Sequence, residues 1–167
     1  MTKKREYTIY KTNEFGDIYI ISDGEAIVHV ELFADGWEKM NNQYEFVKSD
    51  APLLQEAVKQ LDEYFRGKRT VFQLPVKWEG TPFQQKVWQA LCDIPYGETA
   101  SYSDIAEKIG HPKAVRAVGQ ANRANELAII VPCHRVIGKN NALTGYAGNR
   151  TDVKEKLLQL EQHYRSG

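Results

Sequence analysis

"SYSDIAEKIGHPKAVRAVGQANRAN" (Ser101–Asn125) is the stretch from which the fold is read. Ser101 and Asp104 stand three residues apart, the spacing at which two side chains cap a helix start reciprocally. Gly110 marks the stop of that helix. Pro112 is expected to open a second one, which continues through Arg123. Two short helices joined by a few residues that include glycine form the outline of a helix-turn-helix. In the second helix Lys113, Arg116, Gln120 and Arg123 recur at helical spacing and share one face. Ala114, Ala117, Gly119, Ala121 and Ala124 lie between them. A basic stripe on so slim a helix suits a nucleic-acid groove, and equally suits a solvated face. The spacing alone leaves both open.

Upstream, "TPFQQKVWQALCDI" (Thr81–Ile94) carries its own helix signals: Thr81 as N-cap, Pro82 at the first helical position and Gln84 completing a capping box. Cys92 falls in this segment beside Trp88 and Leu91 and reads as a packed thiol. "PYGETA" (Pro95–Ala100) is turn material. Before "KWEG" (Lys77–Gly80), which reads as a linker by composition, the chain changes character. "YTIYKT" (Tyr7–Thr12), "DIYIIS" (Asp17–Ser22) and "AIVHVELF" (Ala26–Phe33) are β-branched and aromatic, with turn residues between them, and predict an antiparallel meander. "DAPLLQEAVKQLDEYFRGKR" (Asp50–Arg69) predicts a helix capped by Asp50, with a stripe of Leu54, Val58, Leu61 and Phe65. "TVFQLPV" (Thr70–Val76) resembles a further strand.

Downstream, "AIIVPCHRVIGKN" (Ala128–Asn140) sets Cys133 at the mouth of an apolar run, with His134 and Arg135 next to it. A thiol is a nucleophile only as thiolate, and a base or cation nearby helps to make one. Sequence neighbours usually point apart, however, so a small buried cysteine beside an exposed His-Arg pair fits the same letters. The last helix, expected from about Asp152 to Tyr164, has Val153, Leu157 and Leu160 as its apolar face. Glu161 lies on that side, where a carboxylate is costly unless something binds it. Histidine is a natural partner, and Cys–His–Glu is a workable relay. The alternative is that Glu161 reaches water at the edge of the stripe.

The totals constrain the class. The chain has 167 residues with no net charge, 42% hydrophobic residues and 26% charged ones, as expected of a globular protein of one domain or two small ones. The neutrality conceals an asymmetry: residues 1–80 carry 11 Lys/Arg against 14 Asp/Glu, and residues 81–167 carry 11 against 8. The small basic excess permits a nucleic-acid partner for the second half. No apolar run is long enough to span a membrane, and "MTKKREYTIY" lacks the apolar core of a secretory signal. Two cysteines make no disulfide framework. A reducing, cytoplasmic location is therefore expected.

Taken together, "TPFQQKVWQAL", "IPYGETASY", "RAVGQANRAN", "VPCHRVIG" and "GYAG…KEKLLQLE" resemble the O6-alkylguanine-DNA alkyltransferases, the methylated-DNA–protein-cysteine methyltransferases. The match is strong from about Thr81 to Glu161 and looser before. The resemblance implies an α+β chain. Residues 1–79 would form a small α/β domain of the ribonuclease H-like kind with a short antiparallel sheet. Residues 80–167 would form a mostly helical, winged helix-turn-helix domain for catalysis and DNA binding. It implies double-stranded DNA bearing O6-alkylguanine (and O4-alkylthymine) as partner, no cofactor and a monomer.

Residue by residue, the resemblance makes Cys133 the alkyl acceptor, His134 its base through a water, and Glu161 the group that orients His134. Tyr102 would crowd the 3′ phosphate and serve guanine N3. Asn125 would tie the recognition helix to the active-site turn. Arg116 would fill the gap left by a flipped base, with Lys113, Ala117, Gln120 and Arg123 on the DNA face. Pro132, Arg135, Val136, Tyr146, Ala147, Gly148 and Lys154 would line the pocket, with Lys154 at its rim. The carbonyls of Cys133 and Val136 would meet the guanine amino group. Ala147 departs from members with serine there and leaves only a backbone contact to O6. Some relatives hold structural zinc in the first domain; here residues 1–80 have no cysteine and only His29, so no metal is expected. Three alternatives remain: a lesion sensor without transfer, a helix-turn-helix binding module, and a thiol hydrolase that turns over.

Overall fold

The computed structural model describes residues 4–138 and 151–166. The chain divides into two compact units, Met1–Trp78 with Glu126–Ala128, and Glu79–Asn125 with Ile129–Gly167. In the first unit β1 (Arg5–Lys11), β2 (Asp17–Ser22) and β3 (Ile27–Glu31) form the expected antiparallel meander. The sheet is nevertheless mixed. Helix α1 (Ala34–Gln43) carries the chain to β4 (Phe46–Lys48), which pairs parallel to β1, so the order is β3-β2-β1-β4. Parallel neighbours need such a crossover.

Neither α1 nor β4 is visible in the sequence pattern, because α1 has no capping side chain and no buried stripe. An aromatic anchor holds it instead: Trp37 stacks on Tyr19 at 4.8 Å and tilts over Tyr7 at 4.6 Å. Helix α2 (Pro52–Phe65) is capped at Ala51, without a side-chain bond, rather than at Asp50. Its buried face is Leu54, Ala57, Leu61 and Tyr64; Val58 and Phe65 are only half-buried. Residues 70–76 form no strand. Gln60, buried on α2, donates to the Gln73 carbonyl and accepts from its N–H, and only Val76 bridges to Ile27. Pro75 lacks the N–H that a continued ladder would need.

The second unit is built on helices α3 (Pro82–Cys92), α4 (Tyr102–Lys108), α5 (Val115–Arg123) and α6 (Thr151–Ser166). Thr81 with Gln84 and Ser101 with Asp104 form both expected capping boxes. Trp88 of α3 is buried, and its indole N–H donates to the Ala121 carbonyl of α5 at 2.9 Å, which fixes the two helices against each other. Helix α5 begins at Val115, not at Pro112. Gly110, at φ +83, ends α4, and the N–H groups of His111 and Ala114 are used in the turn that follows. Cys92 is exposed at the last position of α3, which corrects the packed-thiol expectation. Two short strands, β5 (Ala100–Ser101) and β6 (Val136–Ile137), pair in parallel and set the start of α4 beside the segment that follows Cys133. Among the described residues no helix is long and apolar enough to cross a membrane.

Ser101→Ala removes the α4 cap next to Tyr102. The expected cost is about 1 kcal/mol, read as a lowered midpoint in urea unfolding with an unchanged slope.

Candidate active site

Cys133, His134 and Arg135 form a single 3-10 turn, and all three side chains are buried. The His-Arg pair is therefore not at the surface. The approach to the turn is irregular. Ile129 sits at φ +72, an uncommon conformation for a β-branched residue. The Cys133 N–H folds back on the Val131 carbonyl at 2.8 Å. Two amides from the end of α5 grip this turn. Asn125 donates through Nδ2 to the Val131 carbonyl at 2.9 Å and to Cys133 Sγ at 3.2 Å. Asn122 donates to the Cys133 carbonyl at 3.3 Å. That carbonyl also accepts the Val136 N–H, so both its lone pairs are in use. The reading of the sequence missed Asn122. Its signal is its place in the last turn of α5, three residues before Asn125.

Glu161 is wholly buried, and its carboxylate is bound rather than wet. His134 Nε2 lies 2.6 Å from Oε2. Arg135 donates through Nε to Oε1 at 2.8 Å and through NH2 to Oε2 at 3.1 Å. The Gly97 N–H donates to Oε1 at 3.1 Å. Arg135 NH1 meets the Ile94 carbonyl at 2.7 Å, and its guanidinium lies 5.6 Å from the centre of the Tyr96 ring. Arg135, expected to line the pocket, thus has its guanidinium committed to Glu161 and the Ile94 carbonyl.

Burial works to raise the Glu161 carboxyl, but the bonds and charges of His134 and Arg135 outweigh it and hold the group well below the usual carboxylate range. Burial pushes the Cys133 thiol up to about 11, against the Asn125 amide and the charge of Lys154. At neutral pH the resting group is therefore a thiol that needs a base. The imidazole of the next residue lies in the same turn. His134 bonds Glu161 through Nε2, while Nδ1 is buried with no hydrogen-bond partner among the described residues.

Lys154 is not at a rim. It is fully buried, with Leu157 and Glu161, on the inner face of α6, while Val153 and Leu160 are only half-buried. Burial lowers its ammonium to about 8, with Cys133 acting in the opposite direction. Its Nζ lies 5.8 Å from the centre of the Tyr102 ring. Pro132 and Val136 are buried beside the turn. Arg116, Ala117, Gln120 and Arg123 are exposed on α5; Lys113 is exposed too but precedes that helix. Tyr146, Ala147 and Gly148 lie outside the described residues.

Residues 82–163 match the DNA-binding domain of 6-O-methylguanine DNA methyltransferase, and residues 6–78 match its ribonuclease-like domain. The chain belongs to the O6-alkylguanine-DNA alkyltransferase family. It is 52% identical over 157 residues to the constitutive methylated-DNA–protein-cysteine methyltransferase of Bacillus subtilis, a match that covers 93% of this chain and 94% of that protein. The crystal structure of the Mycobacterium tuberculosis O6-methylguanine methyltransferase superposes with a TM-score of 0.86 at 40% identity, covering 96% of this chain and 94% of that one. A crystal structure of the Mycobacterium tuberculosis protein in complex with DNA gives 0.82 at 39% identity, with the same coverage. This member of the family thus combines the two-part alkyltransferase fold with a buried thiol, imidazole and carboxylate in its second part.

Glu161→Ala leaves Arg135 without its partner and should destabilise the second unit by about 3–5 kcal/mol. In the native chain the carboxyl sits below its ordinary value, so its contribution is complete above about pH 4.3 and is lost as pH falls further toward the depressed folded value. Acid titration followed by near-UV circular dichroism should show a shallow decline from about pH 6.5, as the buried neutral His134 comes under pressure to take a proton, and a steeper one below about pH 4.3, where the Glu161 contribution goes; stability unchanged down to pH 3 contradicts this.

Proposed function

We propose that this chain repairs alkylated DNA by taking the alkyl group of O6-alkylguanine, and of O4-alkylthymine, onto Cys133. The observation that carries the reading is the buried Cys133–His134–Glu161 set in the same unit as an exposed basic helix. Residues 80–167 do this work. Residues 1–79 form a separate N-terminal domain.

His134 Nδ1 takes the thiol proton through a water, and Glu161 holds the ring in the tautomer that leaves Nδ1 free. Cys133 Sγ then attacks the alkyl carbon. A C–S bond forms, the carbon–O6 bond breaks, and its electron pair leaves with guanine. Tyr102 gives a proton at N3, so guanine departs neutral, and the thiol proton returns from His134 to the phenolate. Atoms and charge balance without a cofactor. The product is a thioether that nothing in the scheme cleaves, so each chain reacts once. Asn125 keeps the turn and α5 in register through the Val131 carbonyl and the thiol.

The lesion lies inside a duplex stack and must be extruded to reach a buried thiol. Helix α5 fits the groove: Arg116 occupies the space left by the base, and Lys113, Ala117, Gln120 and Arg123 contact the backbone around it. Ala117 leaves that part of the face slim. Pro132 and Val136, buried beside the turn, border the space taken by the base and its alkyl group. The chain works as a cytoplasmic monomer on double-stranded DNA.

Cys133→Ala should abolish transfer from an O6-methylguanine duplex and leave duplex affinity in gel shift unchanged. Transfer that survives removes Cys133 from the role. Arg116→Ala should slow reaction with the duplex on the order of 10- to 100-fold, the scale of an unstacking cost, and leave reaction with free O6-benzylguanine nearly as fast. Equal losses on both substrates contradict a role in extrusion. Steady release of alkyl product at many per chain indicates a thiol hydrolase instead.

A further inference from the structure

The Glu161 carboxylate bonds two side chains that are neighbours in sequence. Arg135 takes it side-on, with Nε at 2.8 Å from Oε1 and NH2 at 3.1 Å from Oε2, and His134 Nε2 reaches the same Oε2 at 2.6 Å. The side chains of His134 and Glu161 are wholly buried, and that of Arg135 is 7% exposed. A carboxylate carries one negative charge. A guanidinium is always charged, and in this fork it satisfies that charge by itself. If His134 were protonated as well, the cluster would carry a net positive charge in an interior that solvates charge poorly.

A second cation makes that state worse. Lys154 lies two turns before Glu161 on the inner face of α6 and is fully buried. The charged groups that act on His134 are thus Glu161 and Lys154 from α6 and Arg135 from its own turn. The Tyr96 phenol, after α3, faces Arg135 and Glu161. Burial lowers the imidazole first; Glu161 opposes, and Arg135 and Lys154 lower it further, so the direction is down.

We propose that Arg135 is a positioning residue that supplies the counter-charge of Glu161 and thereby keeps His134 neutral, with Nδ1 free to take the Cys133 proton. In the step, the S–H bond breaks, its electron pair stays on sulfur, and the proton reaches Nδ1 through a water. The imidazolium forms only then, against the Glu161 carboxylate. Without Arg135, the same carboxylate would hold His134 as a closed ion pair at neutral pH, and the base would already carry its proton. The inference rests on the alkyl-transfer reading for its activity assay, but not for its direct test.

The assay is single-turnover transfer from an O6-methylguanine duplex across pH 5–9, with Arg135→Met and Arg135→Lys. In Arg135→Met the acid limb of the rate profile should move up by about one pH unit or more, the scale of losing a close charge. The rate should be reduced at pH 7 and recover toward pH 9. Arg135→Lys, which keeps the charge without the fork, should keep the limb near its native position. A loss in Arg135→Met by the same factor at every pH overturns the proposal, since a merely structural residue would act so.

The direct test uses the native chain, so it stands even where Arg135→Met does not fold. Imidazole nitrogen NMR shifts, with His134 assigned against His134→Gln, should report a neutral ring protonated on Nε2 at pH 7. An imidazolium there overturns the proposal. A neutral ring in a chain that transfers no methyl group upholds it and removes the alkyl-transfer reading instead.

Discussion

A buried carboxylate organises the second unit. Glu161, carried by α6, draws two separate pieces of chain onto its two oxygens: the turn of Cys133–Arg135 and the Gly97 backbone. Each donor is needed, because a bare carboxylate in an apolar interior is unstable. The helix end secures the same loop again, as Gln162 and Arg165 both donate to the Gly97 carbonyl. Gly97 itself sits at φ +79, with the Arg165 stem packed where a side chain would project, so glycine is required there on both counts. From this anchor His134 inherits its orientation, and the cysteine before it inherits its place.

Cys133 rests as a buried thiol. Its burial opposes the thiolate and outweighs the Asn125 amide, which holds the turn and also donates to the sulfur. In the proposed reaction its activation depends on one neutral imidazole. Cys92 is the contrast: an exposed thiol at a helix end, outside this arrangement, although both residues are the same amino acid. Reactivity here belongs to the environment and not to the letter in the sequence.

What could be read in advance follows from how local each signal is. The capping boxes at Thr81 and Ser101 involve residues three apart, and both are present in the fold. The first three strands are set by alternation and turns, which are local too. Helix α1 escaped because Trp37 holds it through rings on β1 and β2, a contact between residues far apart in sequence. The start of α5 was misplaced because Pro112 fits a turn as well as a first helical position. In the site, the pairing of Glu161 with a histidine followed from the cost of a buried charge. The direction of Arg135 did not, because neighbours in sequence usually point apart, whereas here the 3-10 turn lets His134 and Arg135 reach the same carboxylate. Lys154 was set at a rim for a similar reason: α6 turns its face through Lys154, Leu157 and Glu161, and its more apolar residues Val153 and Leu160 lie at the margin.

The central claim is that Cys133 accepts one alkyl group and keeps it. Intact-protein mass spectrometry after mixing with a short duplex that carries a single O6-methylguanine tests it most directly. The account predicts a gain of about 14 Da, one methyl in place of the thiol hydrogen, mapped to Cys133 and saturating at one per chain. An unchanged mass while the duplex stays bound, or a methyl group found on another residue, would contradict it.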